Sequence, residues 1–425
     1  MDTYAQRDGK FSFTISSSTN TSAGVFKSDG TLVRTLWNNK KYGNGTYAKT
    51  WDGKDDQGKT IASPDANYQI KVLTNNVSYE WQGTIGNSSE NMAGPAKHRG
   101  YYFCMRGMAF TDKYGYFCTG YSEASPSVGK FLVSKPQEKI NFFPTNVTTA
   151  DNNFVATDGI NVYWGAYDAY SSDNSFVYGT KVLDDSETTF PNGLSYVVTH
   201  GKTYLSVISK LTAANGLISG LAVQKNGNYL FVARSGLNQL QVVNKTTGAL
   251  IHNLSYSTPK SLCVDDNDNL WMVSGNNTVS RYTVNNNGSL TSPTLTLSGL
   301  IDPLAIQVSA NGNIISVADG GTSQQVKSFN TFSGAFTSLL GDAGGYFTDP
   351  NVRDNKFDFN DARGNHLPFR AYQPDGSFWV NDPGNFRVQH YNSNNSLINR
   401  IMFLGSTYST WVDKNNIKRV FANYL

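Results

Sequence analysis

Four stretches of the chain repeat one pattern: an apolar strand, a short Asn/Asp/Gly turn, a second apolar strand, a polar turn and an alternating third strand. Three of them are LAVQKNGNYLFVARSGLNQLQVVNKTTG from Leu221, LCVDDNDNLWMVSGNNTVSRYTVNNNG from Leu262 and IQVSANGNIISVADGGTSQQVKSFNTFSG from Ile306. The clearest is FWVNDPGNFRVQHYN from Phe378, preceded by FRAYQPDGS. One such unit cannot bury both faces of its own sheet, so several must stack around an axis. The expected fold is all-β, a β-propeller with one central channel.

Composition agrees. Charged residues are 16% of the chain, below the roughly 25% of an average soluble domain. Aromatics reach 13%, and Asn, Ser, Thr and Gly supply much of the rest, which suits pleated surfaces joined by tight turns. The net charge is only +3 and no Lys/Arg run occurs, so no nucleic-acid partner is expected. No run approaches the ~18 apolar residues of a membrane-spanning helix, and MDTYAQRDGK lacks the apolar core of a signal peptide. Low charge with abundant Asn, Thr and Tyr favours an extracellular or cell-surface protein whose leader is absent from this chain. Cys104, Cys118 and Cys263 make no disulfide framework, and the register offsets the first two across their hairpin.

Residues 1–86 lack the repeat. Short strands at Lys10–Ser16, Ala23–Lys27, Leu32–Trp37, Gly45–Trp51 and Tyr68–Thr74, with turns between them, predict a small β-sandwich. Trp51 is its expected core plug. Asp52, Asp55 and Asp56 are read as turn residues in preference to a Ca²⁺ site. Residues 87–100 (NSSENMAGPAKHRG) read as a linker, and 101–425 as the propeller.

The segment from Thr31 to Val72, with its Leu-Val-Arg-Thr-Leu, Gly-x-Tyr and Trp-Asp-Gly marks, resembles the immunoglobulin-like domain of the flagellar hook-capping protein family. The resemblance implies an Ig-like structural spacer in a bacterial protein, part of a larger extracellular chain or assembly. The copy from Phe369 to Asn392 resembles the NHL repeat family, which implies a six-bladed propeller. Aligned first strands place Met108, Phe154, Leu221, Leu262, Ile306, Arg370 and Thr410 in one register. Most intervals fit a blade of ~40–45 residues. Those from Phe154 to Leu221 and from Ile306 to Arg370 are longer and predict insertions, at Tyr167–Phe190 and Gly341–Leu367. Six blades are favoured; the partial unit at Thr410 leaves seven open.

Two features point to a site. Arg370 stands in a register that is otherwise apolar or Thr, where a buried charge needs a partner. Asp319 and Asp382, ending second strands of neighbouring units, are the candidates; a ligand-anchoring role for Arg370 is the alternative. The Gly341–Leu367 loop is too long to be a plain connection, and its aromatic and acidic content suits a sugar or protein surface. Tyr346, Phe347, Asp349, Phe357 and Asp361 are its candidate ligand-binding residues, with packing of Phe357 and Phe359 onto the blade as the alternative. Asp354, Asp358 and Asp361 could hold Ca²⁺ without an EF-hand spacing; no other cofactor is expected. Arg370, His366, Asp319 and Asp382 are the candidate catalytic set for a polysaccharide lyase or glycoside hydrolase. No metalloprotease, nucleophile-elbow or nucleotide motif is present. The leading expectation is a non-catalytic recognition or adhesion protein displaying loops to a glycan or protein ligand.

Overall fold

The computed structural model describes residues 2–4, 9–61, 67–75, 98–100, 105–121, 127–136, 138–140, 150–348, 353–360, 368–385, 387–404 and 407–424. The chain divides into two compact units, Met1–Glu80 and Trp81–Leu425. The only helical elements among the described residues are short 3₁₀ turns.

In the first unit, strands Asp2–Tyr4, Gln69–Asn75, Thr19–Phe26 and Leu32–Tyr42 form one sheet, and Lys10–Ile15 pairs with Gly45–Thr50 in another. Burial along Lys10–Ile15 alternates strictly, the signature of a strand with one wet face. Phe11, Phe13, Val25, Ile70 and Val72 from both sheets share a core with Trp51. The Trp51 Nε1 donates to the Lys54 carbonyl at 2.9 Å and its ring meets Tyr68 edge-on. Asp52, Asp55 and Asp56 each accept backbone N–H groups of this region, which accounts for them as turn and loop caps.

The second unit is a β-propeller. Six of its sheets open with the strands Gly107–Phe110, Ala150–Thr157, Gly220–Val223, Leu262–Val264, Pro303–Val308 and Arg370–Tyr372. These first strands neighbour one another in that order, and the sixth lies against the first, so the circle closes. Packing repeats the message. Six apolar clusters each draw side chains from two adjacent sheets, the last joining Phe369, Trp379 and Ile401 of the sixth to Met108, Phe117 and Phe131 of the first. Because each sheet is covered on both faces, second strands such as Tyr229–Arg234 are buried at every position.

Three expectations are corrected here. His98–Gly100, placed in the linker, forms a strand pairing in parallel with the end of Leu397–Leu404, on the outer edge of the sixth sheet. That edge would otherwise expose unpaired backbone groups. The stretch Tyr167–Phe190 is no loop insertion: it holds the whole strand Ser171–Lys181. The extra length of this unit goes into long strands and a fifth one, Leu194–Val197, beside Thr203–Thr212. Thr410 belongs to no ring sheet. Its strand Thr407–Asp413 pairs with Asn416–Tyr424 in a separate hairpin.

Candidate functional site

The connection from the fifth to the sixth sheet is fastened to its blade by a buried polar network. Asp382 and Arg387, both at 0% side-chain exposure, pair at 2.7 Å through Nε. The Arg387 Nη2 donates onward to the carbonyls of Arg353 and Lys356, and the Asn385 amide donates to Asp382. Backbone N–H groups of the loop complete the fastening: Asp358 donates to the Asp382 carboxylate at 2.7 Å and Phe359 to Gln324 Oε1 at 2.7 Å. Gln389 and Tyr391 both donate to the Asp354 carbonyl. Phe357 and Phe359 stack at 5.2 Å and sink into the apolar layer between the fifth and sixth sheets.

Above this base sits a short 3₁₀ turn, Gly345–Thr348. Tyr346 N–H donates to the Phe357 carbonyl at 3.1 Å, and Gly345 has φ of +52°. A Cβ at Gly345 would stand 2.0 Å from that same carbonyl, so only glycine allows the turn to sit down on the loop. The turn leaves Phe347 62% exposed and Tyr346 half-buried. Of the sequence candidates, then, Tyr346 and Phe347 are presented outward. Phe357 is not: at 0% exposure it belongs to the core. Asp349, Asp361 and His366 lie outside the described residues.

The Ca²⁺ reading does not fit the acids that are described. Asp354 pairs with Arg400 at 2.8 Å, and Asp358 accepts the Asn360 N–H to close its own turn. No group of three potential ligands could hold a metal among the described residues. Burial nevertheless pushes the Asp358 carboxyl up to about 6.

The catalytic set does not assemble as a pair of carboxylates across the channel. Asp319 is fully buried, bound to Lys327 at 2.6 Å and capped by the N–H groups of Ile301 and Asp302. Asp382 is held by Arg387. Neither supplies the expected ion pair to Arg370, because each is neutralised within its own neighbourhood. Arg370 is 4% exposed; its guanidinium lies 4.2 Å over the Phe378 ring and donates to Tyr372 Oη at 3.1 Å, while Nε has no acceptor among the described residues. Burial pulls its pKa down from the usual guanidinium value.

The six ring positions aligned from sequence, Met108, Phe154, Leu221, Leu262, Ile306 and Arg370, all line one cavity of 80 Å³ at the axis. Apolar side chains such as Met108, Phe154 and Leu262 share its wall with polar groups such as Ser219, Ser261 and Gln307. Among the described residues the charged ones lining it are Arg106 and Arg370, with neither a carboxylate nor a histidine.

Sequence reasoning missed Arg234, which ends the second strand of the third sheet in the position of Asp319 and Asp382. It is fully buried and wrapped by neutral acceptors: the Ser175 and Ser209 hydroxyls, the Gly216 carbonyl and Gln241 Oε1. Burial lowers its pKa to about 10. The signal was available, since a charge closing an apolar run (YLFVAR) repeats the pattern of IISVAD and FWVND. His390 lies on the third strand of the sixth sheet, Arg387–Tyr391. It stacks on Trp379 at 4.3 Å, and burial pulls its pKa down to about 4.

No protein-family model matches the chain, and no curated protein matches it. Among solved structures the chain is similar to one from a crystal structure of a nidogen/laminin complex, at 12% identity and a TM-score of 0.44, covering 69% of this chain and 92% of that one. It is also similar to the Cps50 (Swd1) β-propeller domain of Myceliophteria thermophila, at 9% identity and a TM-score of 0.42, covering 66% of this chain and 81% of that one.

Proposed function

We propose that this chain is an extracellular recognition or adhesion protein. Its propeller, six-bladed and NHL-like, presents the turn Gly345–Thr348 and the neighbouring loop surface to a glycan or protein ligand. The N-terminal unit is an Ig-like spacer. The carrying observation is the combination at that turn: an aromatic ring left 62% exposed on a segment fastened from beneath by a fully buried ion pair. A ring held in place before binding loses little freedom on contact, and ordering cost is what most often weakens loop-borne sites. Tyr346 adds a second ring with a hydroxyl, suited to a pyranose face or to a protein partner's apolar anchor.

The test is binding by the full chain and by a Phe347→Ala, Tyr346→Ser variant, on a glycan array and against cell-surface protein extracts. Loss of the parent's ligand with an unchanged far-ultraviolet circular dichroism spectrum is expected. Retained binding by the folded variant would move the site away from this turn.

A further inference from the structure

Arg106 and Arg370 both line the axial cavity, but they are not equivalent. Arg106 has a carboxylate, Asp151, at 3.3 Å, and also donates to Asn153 Oδ1. Arg370 has two aromatic rings and one hydroxyl, and no carboxylate among the described residues. A buried guanidinium with neither a carboxylate partner nor an acceptor for its Nε–H among the described residues is expensive to keep charged. Other polar groups meet the same cavity. Ser261 Oγ accepts the Ile306 N–H at 3.1 Å, which leaves its own O–H for another acceptor, and Gln307 lines the wall beside it.

We propose that the axial cavity binds a small planar monoanion of the carboxylate class, with Arg370 as its anchor and Ser261 and Gln307 as flanking donors. Guanidinium and carboxylate match in shape and charge, and a bound anion would give Arg370 the counter-charge that Asp319 and Asp382 do not supply. The volume of 80 Å³ has room for an anion the size of formate or acetate. The site is independent of the loop face, and its occupation would stabilise the ring by binding the folded state alone.

The experiment is thermal unfolding of the full chain titrated with sodium formate, against sodium fluoride at matched ionic strength. The wild type should show a saturable rise in Tm with formate and none with fluoride. Arg370→Lys keeps the charge but loses the fork, and should bind formate about tenfold more weakly, the loss expected for one charge-assisted hydrogen bond. Leu262→Phe leaves Arg370 in place but fills the cavity, and should abolish the rise. An absent or unsaturable rise in the wild type, or an equal rise in Leu262→Phe, would overturn the proposal. If one variant fails to fold, the wild-type titration and the other variant still decide. Loss of ligand binding on replacing Phe347 bears only on the loop reading, so the two can fail separately.

Discussion

Two arginines of the sixth sheet are almost equally hidden from water, and their surroundings are opposite. Arg387 faces Asp382 at 2.7 Å and two backbone carbonyls. Arg370 faces the rings of Phe378 and Tyr372 and one phenol. The first is a fastening: every group it touches belongs either to its own blade or to the loop that the blade must hold. The second has no carboxylate partner among the described residues and lines the central cavity. Equal burial in one sheet thus goes with a built counter-charge for Arg387 and with none among the described residues for Arg370.

The largest effect should come from breaking the fastening on one side. Asp382→Ala leaves Arg387 buried and unpaired, and should cost about 4 kcal/mol in urea-induced unfolding of the propeller. Replacing Asp382 and Arg387 together with apolar residues should cost far less than either single change, because no charge is then orphaned. Next comes the apolar half of the same anchor: Phe357→Ala should cost about 3 kcal/mol, as a fully buried ring leaves a cavity behind. Against these, Arg370→Met should shift stability by no more than about 1 kcal/mol in either direction, since it removes a charge without stranding an opposite one. A loss as large as that of Asp382→Ala would mean that Arg370 has a counter-charge after all.

A smaller pair of effects concerns pH. The His390 pKa lies near 4 in the fold and near 6.5 when unfolded, so the unfolded chain binds the extra proton between those values. Stability contributed at His390 thus falls as pH drops from about 6.5 to 4. At Asp358 the folded pKa is raised to about 6, so the folded state binds the extra proton, and stability from this site falls as pH rises from about 4 to 6. Relative to the wild type, His390→Gln should gain stability as pH is lowered through this window, and Asp358→Asn should lose some of its advantage. Parallel difference curves for the two variants would contradict the assignment. The smallest stability effect is at the exposed turn, where Phe347→Ala should change unfolding by about 0.5 kcal/mol or less.

Much of the ring was legible because its register is periodic. The positions aligned at Met108, Phe154, Leu221, Leu262, Ile306 and Arg370 all fall on the six first strands and meet at one cavity. Thr410 shared the local pattern but not the company: a strand–turn–strand motif reads the same in a blade and in a free hairpin. His98–Gly100 escaped notice because three residues paired in parallel with a distant strand leave no alternation to detect. In the loop, the roles of Phe347 and Phe357 could not be told apart by residue type. What separates them is a glycine contact at Gly345 and a hydrogen bond from Tyr346 to Phe357, both long-range facts. The counter-charges were misassigned for a related reason. Asp319 and Asp382 are paired with Lys327 and Arg387, residues on adjoining third strands that reach the strand end across the sheet.

Amide hydrogen exchange resolved by residue tests most directly whether the loop is a built part of its blade. The N–H groups of Tyr346, Asp358 and Phe359, each bound to a named acceptor, should exchange as slowly as those of Phe378–Asp382 in the adjoining strand. Exchange of these three amides at the rate of an open surface loop, with the strand still protected, would contradict it and would remove the preformed face on which recognition is proposed to rest.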